Sequence, residues 1–127
     1  MIECVLDASV PLAMFRREPG AEQARRLLPS AVVSAVNHAE IISKLIEWNP
    51  AGSSASDANE TPAYAIAEFT AELAYQTGLL RAPTKRLGLS LGDRACLALG
   101  LNEKLPVYTM DRRWAELEIG VEIRSLR

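Results

Sequence analysis

The alternation of short apolar segments with helical ones most constrains how this chain can fold. Ile2–Leu6 is apolar at nearly every position, which is typical of a strand buried on both faces of a sheet. Similar short segments recur at Ala31–Val33, Pro106–Thr109 and Val121–Arg124, and Leu79–Arg81 is a weaker candidate. Strands that alternate with helices favour a parallel sheet covered by helices on both sides. We therefore predict an α/β fold with a mostly parallel sheet of four to five strands.

The segments between these strands favour helices, because capping residues or helically spaced apolar residues mark them. The first helix follows Ser9, which is interpreted as an N-cap, and ends near Pro19–Gly20. The others are predicted at Ala21–Leu28, Ala35–Trp48, Pro62–Gln76, Ser90–Leu101 and Arg112–Leu117. Asn49–Asn59 is rich in small polar residues and is interpreted as a mobile surface loop.

The size and composition of the chain are typical of a globular protein. Its 127 residues are expected to form a single domain, residues 1–127, and the apolar fraction of 49% is ordinary. The net charge of −2 gives no overall attraction to nucleic acid or membranes, although a local basic patch would suffice for RNA. No leader and no membrane-length apolar run is evident, so we expect a cytoplasmic protein without a membrane partner.

The cysteine and histidine residues limit the kinds of site that the chain can form. Cys4 and Cys96 lie far apart within apolar runs, which indicates buried thiols rather than a disulfide framework or a zinc site. His38 is the only histidine, which excludes a zinc site built from several histidines. It is expected at the surface or partly buried, on a different helix face from Glu40. No phosphate-binding glycine loop is present.

Four acidic residues lie where predicted elements begin or end, and each has a structural explanation. Asp7 could form a turn or a helix cap after the first strand. Glu40 could pair with Lys44 one helical turn later, and Asp93 could form a capping box with Ser90. The fourth acid could cap the helix that begins at residue 112. The four are Asp7, Glu40, Asp93 and Asp111.

The joint placement of these acids points to a common site. Asp7 and Asp111 follow strands, Glu40 lies within about two turns of the end of another strand, and Asp93 begins a helix that leads back to the sheet. In an open parallel sheet, ligands bind beyond the carboxyl ends of the strands. We therefore expect the four carboxylates to converge at one edge, where hard oxygen ligands suit Mg²⁺, with Mn²⁺ as the alternative.

Such a cluster is suited to hydrolysis of phosphodiester bonds, because the ion polarises the phosphate and activates a water. Ser9 and Thr109 place hydroxyls near two of the acids and could hold a ligand, although Ser9 could equally serve as a cap. Three arginines flank the acids, where they could contact a nucleic-acid backbone or simply screen the carboxylates. They are Arg94, Arg112 and Arg113.

Two other carboxylate chemistries fit the sequence less well. A phosphate-accepting receiver domain needs a lysine beyond a late strand, whereas Lys104 precedes its strand. A haloacid-type phosphatase needs a second acid two residues after Asp7, and Ser9 occupies that position.

Four motifs in order resemble those of the PIN-domain ribonucleases, and more narrowly the VapC-like toxins of type II toxin–antitoxin pairs. They are VLDASV, NHAEI, LSLGDRACLALG and VYTMDRRW. The resemblance implies a three-layer α/β/α sandwich and a metal-dependent endoribonuclease. It places Asp7, Glu40, Asp93 and Asp111 on the acidic quartet of the family. Ser9 and Thr109 fall on the accompanying polar positions.

The resemblance also implies partners. Similar toxins cut structured RNA such as tRNA or rRNA, are usually homodimers and are neutralised by a cognate antitoxin. By analogy the antitoxin groove would involve Val10–Leu28 and the helix predicted at Pro62–Gln76. The alternative is a PIN-like domain that binds RNA or protein without cleaving, against which the four mutually repelling acids argue.

Overall fold

The sheet at the centre of the molecule consists of five strands that pair only in parallel. The computed structural model describes residues 1–127. The strands are β1 (Cys4–Leu6), β2 (Ala31–Ser34), β3 (Ala65–Ala67), β4 (Val107–Thr109) and β5 (Ile123–Ser125). Their order in the sheet is β3-β2-β1-β4-β5, so the first strand is central. The predicted parallel sheet is confirmed.

Seven α-helices connect and flank the strands. They are α1 (Ser9–Phe15), α2 (Ala21–Leu27), α3 (Ala35–Trp48), α4 (Ser53–Glu60), α5 (Ala71–Leu79), α6 (Arg81–Thr84) and α7 (Leu91–Glu103). Short 3₁₀ helices lie at Leu28–Ser30, Lys85–Leu87 and Arg112–Glu116. No helix combines the length and the apolar composition that crossing a membrane requires.

Two apolar cores lie on opposite faces of the sheet, because successive side chains of a strand point to opposite sides. Cys4 and Leu6 of β1 pack with residues of α1 to α4. Val5, between them, packs with residues of α5 and α7 and with Trp114. Burial on both faces explains why β1 is apolar at consecutive positions, and the arrangement is the expected three-layer sandwich. Cys4 and Cys96 are free and buried, as predicted.

Two predicted elements in the middle of the chain are wrong. Asn49–Asn59 is not a loop, since most of it lies in α4, whose Ala55 and Ala58 are buried in the first core. The helix predicted at Pro62–Gln76 is instead strand β3 followed by the beginning of α5. The middle of the chain therefore contributes a sheet edge and an extra helix.

Predictions for the following segment also fail. Leu79–Arg81 is not a strand: it contains the end of α5 and the start of α6. His38 is neither at the surface nor partly buried, because its side chain is only 9% exposed. Its imidazole contacts the Tyr64 hydroxyl and the Asn59 side chain, which ties α3 to α4.

Candidate active site

The site lies at the carboxyl ends of β1 and β4, which are neighbours in the centre of the sheet. From β1 the chain proceeds to β2 on one side, whereas β4 and β5 lie on the other. This reversal opens a crevice beyond the strand ends, where ligands of open α/β sheets bind. Asp7 directly follows β1, and Asp111 lies two residues beyond Thr109, the last residue of β4.

Asp7 is buried and is held by two hydroxyl groups. Ser9 donates its backbone N–H (3.1 Å) and its hydroxyl to Oδ1 of Asp7, and the Thr109 hydroxyl donates to Oδ2 at 2.8 Å. The two hydroxyl oxygens in turn accept the backbone N–H groups of Met110 and Asp111, both at 3.0 Å. Both hydroxyl protons are thus directed at Asp7, and the ends of β1 and β4 are joined through it.

Ser9 is not the N-cap that the sequence suggested. The N-cap of α1 is Ala8, which makes no side-chain cap bond. Asp7 instead forms the predicted turn, because its side chain accepts the N–H two residues ahead.

The pKa of Asp7 is raised from 3.8 to about 7, mainly by burial and in part by the negative charge of Asp93, while the hydrogen bonds from Ser9 and Thr109 oppose the shift. None of the ion pairs in the molecule involves Asp7, Glu40 or Asp93. The structure therefore holds a buried carboxylate without a neutralising basic partner.

Glu40 reaches the site from α3 and does not pair with Lys44, which contacts Glu47 at 3.4 Å instead. Its Oε1 accepts a hydrogen bond of 2.7 Å from the side-chain amide of Asn37. Burial raises the pKa of Glu40, the Asn37 hydrogen bond lowers it, and the charge of Asp93 raises it. The carboxylate packs against Gly92, where a β-carbon would lie 2.1 Å from Oε1.

Asp93 lies in the first turn of α7 and forms the predicted capping box with Ser90. The Ser90 hydroxyl accepts the Asp93 N–H at 3.1 Å, and Oδ2 of Asp93 accepts the Ser90 N–H at 2.9 Å. The cap fixes the carboxylate at the helix N-terminus. Because its charge raises the pKa of both Asp7 and Glu40, Asp93 lies within electrostatic reach of each of them.

Asp111 is the fourth acid, and it has a basic partner. It caps the 3₁₀ helix as predicted, by accepting the Arg113 backbone N–H at 2.9 Å. The Arg113 guanidinium donates to both carboxylate oxygens, at 3.1 and 2.7 Å, and these bonds lower the pKa of Asp111. Asp111 is therefore the only one of the four acids that forms an ion pair.

The three arginines expected near RNA differ in their contacts. Arg94 donates to the carbonyl oxygen of Thr77 at 3.1 Å, and its Nε is buried without a partner. Arg113 is engaged with Asp111. Arg112 is exposed and forms no ion pair, so it is the one of the three that is free to meet a ligand.

The acids have the chemistry of a divalent-cation site, but they are not gathered tightly. No three histidine, cysteine, aspartate or glutamate side chains are arranged so that they could hold a metal ion. The buried Asp7 and the unpaired Glu40 and Asp93 offer only hard oxygen donors, which are the ligands of Mg²⁺ and Mn²⁺. The donor set therefore fits such an ion.

Sequence reasoning missed two residues that contact this site. Asn37 precedes Glu40 by three positions, which on a helix places both on the same face. That spacing was a usable signal. No sequence signal pointed to Gly92, because its packing against Glu40 depends on how α3 and α7 come together.

The comparisons with known proteins agree with this fold. The PIN domain family model matches residues 4–120. No curated protein sequence matches the chain. Among solved structures, the DNA-bound VapBC from Salmonella typhimurium is 19% identical, with a TM-score of 0.77 and 100% coverage of both chains.

Two further solved structures are similar. The toxin–antitoxin complex from Klebsiella pneumoniae is 17% identical, with a TM-score of 0.76 and 98% coverage of both chains. VapC20 from Mycobacterium tuberculosis, described as a sarcin–ricin loop cleaving toxin, is also 17% identical. Its TM-score is 0.72, and the match covers 94% of this chain and 99% of that one. At these identities the likeness concerns the fold.

Proposed function

Because the chain belongs to the PIN domain family, we propose that it is a Mg²⁺-dependent endoribonuclease that acts as the toxin of a type II toxin–antitoxin pair. The observation that carries the proposal is the buried Asp7, which meets the charge of Asp93 and has no basic partner. A domain that only binds RNA or protein gains nothing from such a cluster, whereas a metal-dependent nuclease requires it.

The four acids would hold the cation, and the remaining polar residues would organise them. Mg²⁺, or Mn²⁺ in its place, would supply Lewis-acid stabilisation of the charge that develops on the scissile phosphate. Ser9 and Thr109 orient both oxygens of Asp7 through the hydrogen bonds described above. Arg112 is the exposed cation best suited to meet the RNA backbone. Arg94 would affect the site mainly through its contact with α5, and Arg113 mainly through its contact with Asp111.

The proposed substrate is a structured RNA, tRNA or rRNA, in the cytoplasm. Support comes from the VapC20 neighbour, whose description names the sarcin–ricin loop as its target. Residues 1–127 would act as one catalytic domain.

The proposed partners are a cognate antitoxin and a second copy of the chain. Support for the antitoxin comes from neighbours solved as toxin–antitoxin complexes. Two neighbouring pockets, both lined by Phe15 and Ser54, lie at the end of α1, where Phe15 is 39% exposed. Residues of α3 line the first and residues of α4 line both, while Ala63 and Tyr64, which are not helical, contribute to the second. Support for a homodimer comes from Tyr75, Leu79 and Leu91, three large side chains that are more than half exposed.

Inducible expression in a bacterial host tests the proposed function. Wild-type protein should arrest growth and produce new RNA 5′ ends at a defined site, whereas Asp7→Asn and Asp93→Asn should do neither while accumulating as folded protein. Asp57→Asn, which changes an exposed acid of α4, is the matched control and should remain toxic. Growth arrest by both site variants at wild-type levels would contradict the proposal. RNA that copurifies uncut with wild-type protein would favour the non-catalytic alternative.

A further inference from the structure

The Glu40 carboxylate is held by two residues outside the acidic quartet. Asn37 donates its side-chain amide to Oε1 of Glu40 at 2.7 Å and to the carbonyl oxygen of Gly92 at 3.0 Å. Gly92 packs so closely that a β-carbon there would lie 2.1 Å from the same Oε1. Asn37 therefore joins Glu40 of α3 to α7 one residue before Asp93, another of the proposed metal ligands.

The neighbours of Asn37 dictate the orientation of its amide. Both partners of Nδ2 are oxygen atoms that only accept, so rotating the amide by half a turn would place Oδ1 against two acceptors. The residue is 1% exposed, and Oδ1 has no hydrogen-bond partner. The desolvation of this unpaired oxygen offsets the stability that the two bonds of Nδ2 contribute. Asn37 therefore contributes more to the position of the Glu40 carboxylate than to the stability of the fold.

We propose that Asn37 is a positioning residue which, with Gly92, fixes the Glu40 carboxylate beside Asp93 so that both can ligate the same ion. This inference rests on the proposed metal-dependent nuclease function. Glu40 and Asp93 repel each other, and Glu40 is only half-buried, so an untethered Glu40 would turn away towards solvent. Asn37 sets the orientation of the carboxylate, and the missing side chain at Gly92 sets its distance from α7.

Binding of Mn²⁺ to the purified, RNA-free protein, measured by electron paramagnetic resonance, tests this role without relying on activity. Asn37→Ala should raise the Kd for Mn²⁺ about tenfold or more, as expected when a hydrogen bond to a ligating carboxylate is lost. The Mg²⁺ concentration for half-maximal RNA cleavage should rise by a similar factor, while kcat at saturating Mg²⁺ changes little.

Gly92→Ala is a second variant in which a folding defect is not expected. Alanine favours a helix over glycine, and the added β-carbon meets only the flexible end of Glu40 at closest approach. It should weaken Mn²⁺ binding as Asn37→Ala does. Thr84→Val is the matched control, because it removes another buried side-chain donor, which bonds the Leu80 carbonyl oxygen at 2.7 Å. It should lower the Tm without changing the Kd for Mn²⁺.

Three results would overturn the inference. Wild-type Mn²⁺ affinity in both Asn37→Ala and Gly92→Ala would show that neither residue positions a ligand. An equal loss of affinity in Thr84→Val would show that general destabilisation explains the effect. If the wild-type protein itself bound no Mn²⁺ at millimolar concentration, the proposed function would fail, and the role of Asn37 with it.

Discussion

Asp7 is the residue at which stability and the proposed chemistry conflict. Its side chain is 4% exposed at the end of the central strand, and burial raises its pKa to about 7 even though two hydroxyls donate to it. A buried carboxylate that ionises without a cation destabilises the fold. Packing therefore does not explain an acid at this position, whereas the proposed cation binding would.

Asp7→Asn is expected to stabilise the metal-free protein above neutral pH. Folding raises the pKa of Asp7. The stability that goes with protonated Asp7 is therefore fully present below about pH 4, and the free energy of unfolding falls as the pH rises through about 7 and Asp7 ionises. The shift from 3.8 to about 7 corresponds to a penalty on the order of 4 kcal/mol. In EDTA the variant should melt several degrees above wild type at pH 8 and at nearly the same temperature at pH 4.

Thermal melts followed by circular dichroism measure this difference. Asp57→Asn provides the control, since it removes an exposed carboxylate and should leave the pH dependence of the Tm unchanged. A lower Tm for Asp7→Asn than for wild type at pH 8 would show that ionised Asp7 does not strain the fold.

The α4 helix has few apolar residues, and side-chain hydrogen bonds help to hold it. Ala55 and Ala58 are its two buried residues. His38 of α3 contacts the Tyr64 hydroxyl through Nδ1 at 2.8 Å and Oδ1 of Asn59 through Nε2 at 3.1 Å. Since an amide oxygen only accepts, Nε2 carries the proton and Nδ1 accepts from Tyr64. This polar segment thus forms a helix because the neighbouring helix α3 supplies hydrogen-bond partners.

Tyr64→Phe should loosen α4 without impairing RNA cleavage. The change leaves Nδ1 of His38 buried without a donor, at a cost of about 1–3 kcal/mol. Hydrogen–deuterium exchange across residues 53–60 should accelerate relative to wild type. Tyr75→Phe, which alters an exposed tyrosine of α5, should leave exchange unchanged. Equal exchange in α4 for wild type and Tyr64→Phe would indicate that the histidine contacts do not hold this helix.

The elements that sequence analysis missed share a physical cause. Strand β3 has only three residues and lies at the sheet edge, where Ala65 and Ile66 are exposed, so no run of buried apolar residues marks it as a strand. Its conformation comes from pairing with β2, and such tertiary pairing overrides local propensity. The loop predicted at Asn49–Asn59 was wrong for a related reason. Its small polar residues are typical of loops, but contacts with α3 hold them in a helix. Neither contact can be read from the segment itself.

At the scale of the whole molecule, the architecture followed from the sequence because the central strands are apolar on both faces. That pattern requires two covering layers, and the order of strands and helices requires parallel pairing. The same logic located the carboxyl ends of β1 and β4, which Asp7 and Asp111 follow. It identified Ser90 as the partner of Asp93, but it could not identify the partner of Glu40 or single out Arg113 among the flanking arginines. Asn37 contacts Gly92, which lies 55 positions later in the sequence. Arg113 pairs with Asp111 because the turn between them brings the two side chains together.

Cleavage of a structured RNA by the purified protein tests the proposed metal-dependent activity most directly. Asp93→Asn suits the comparison, because an amide oxygen can still accept the Ser90 N–H and preserve the helix cap. Wild-type protein should cleave in millimolar Mg²⁺ and stop in EDTA. Asp93→Asn should cleave at least about 100-fold more slowly, the usual scale when a group that stabilises transition-state charge is removed. Wild-type rates from Asp93→Asn, or cleavage by wild type that persists in EDTA, would contradict a metal-dependent nuclease built on these acids.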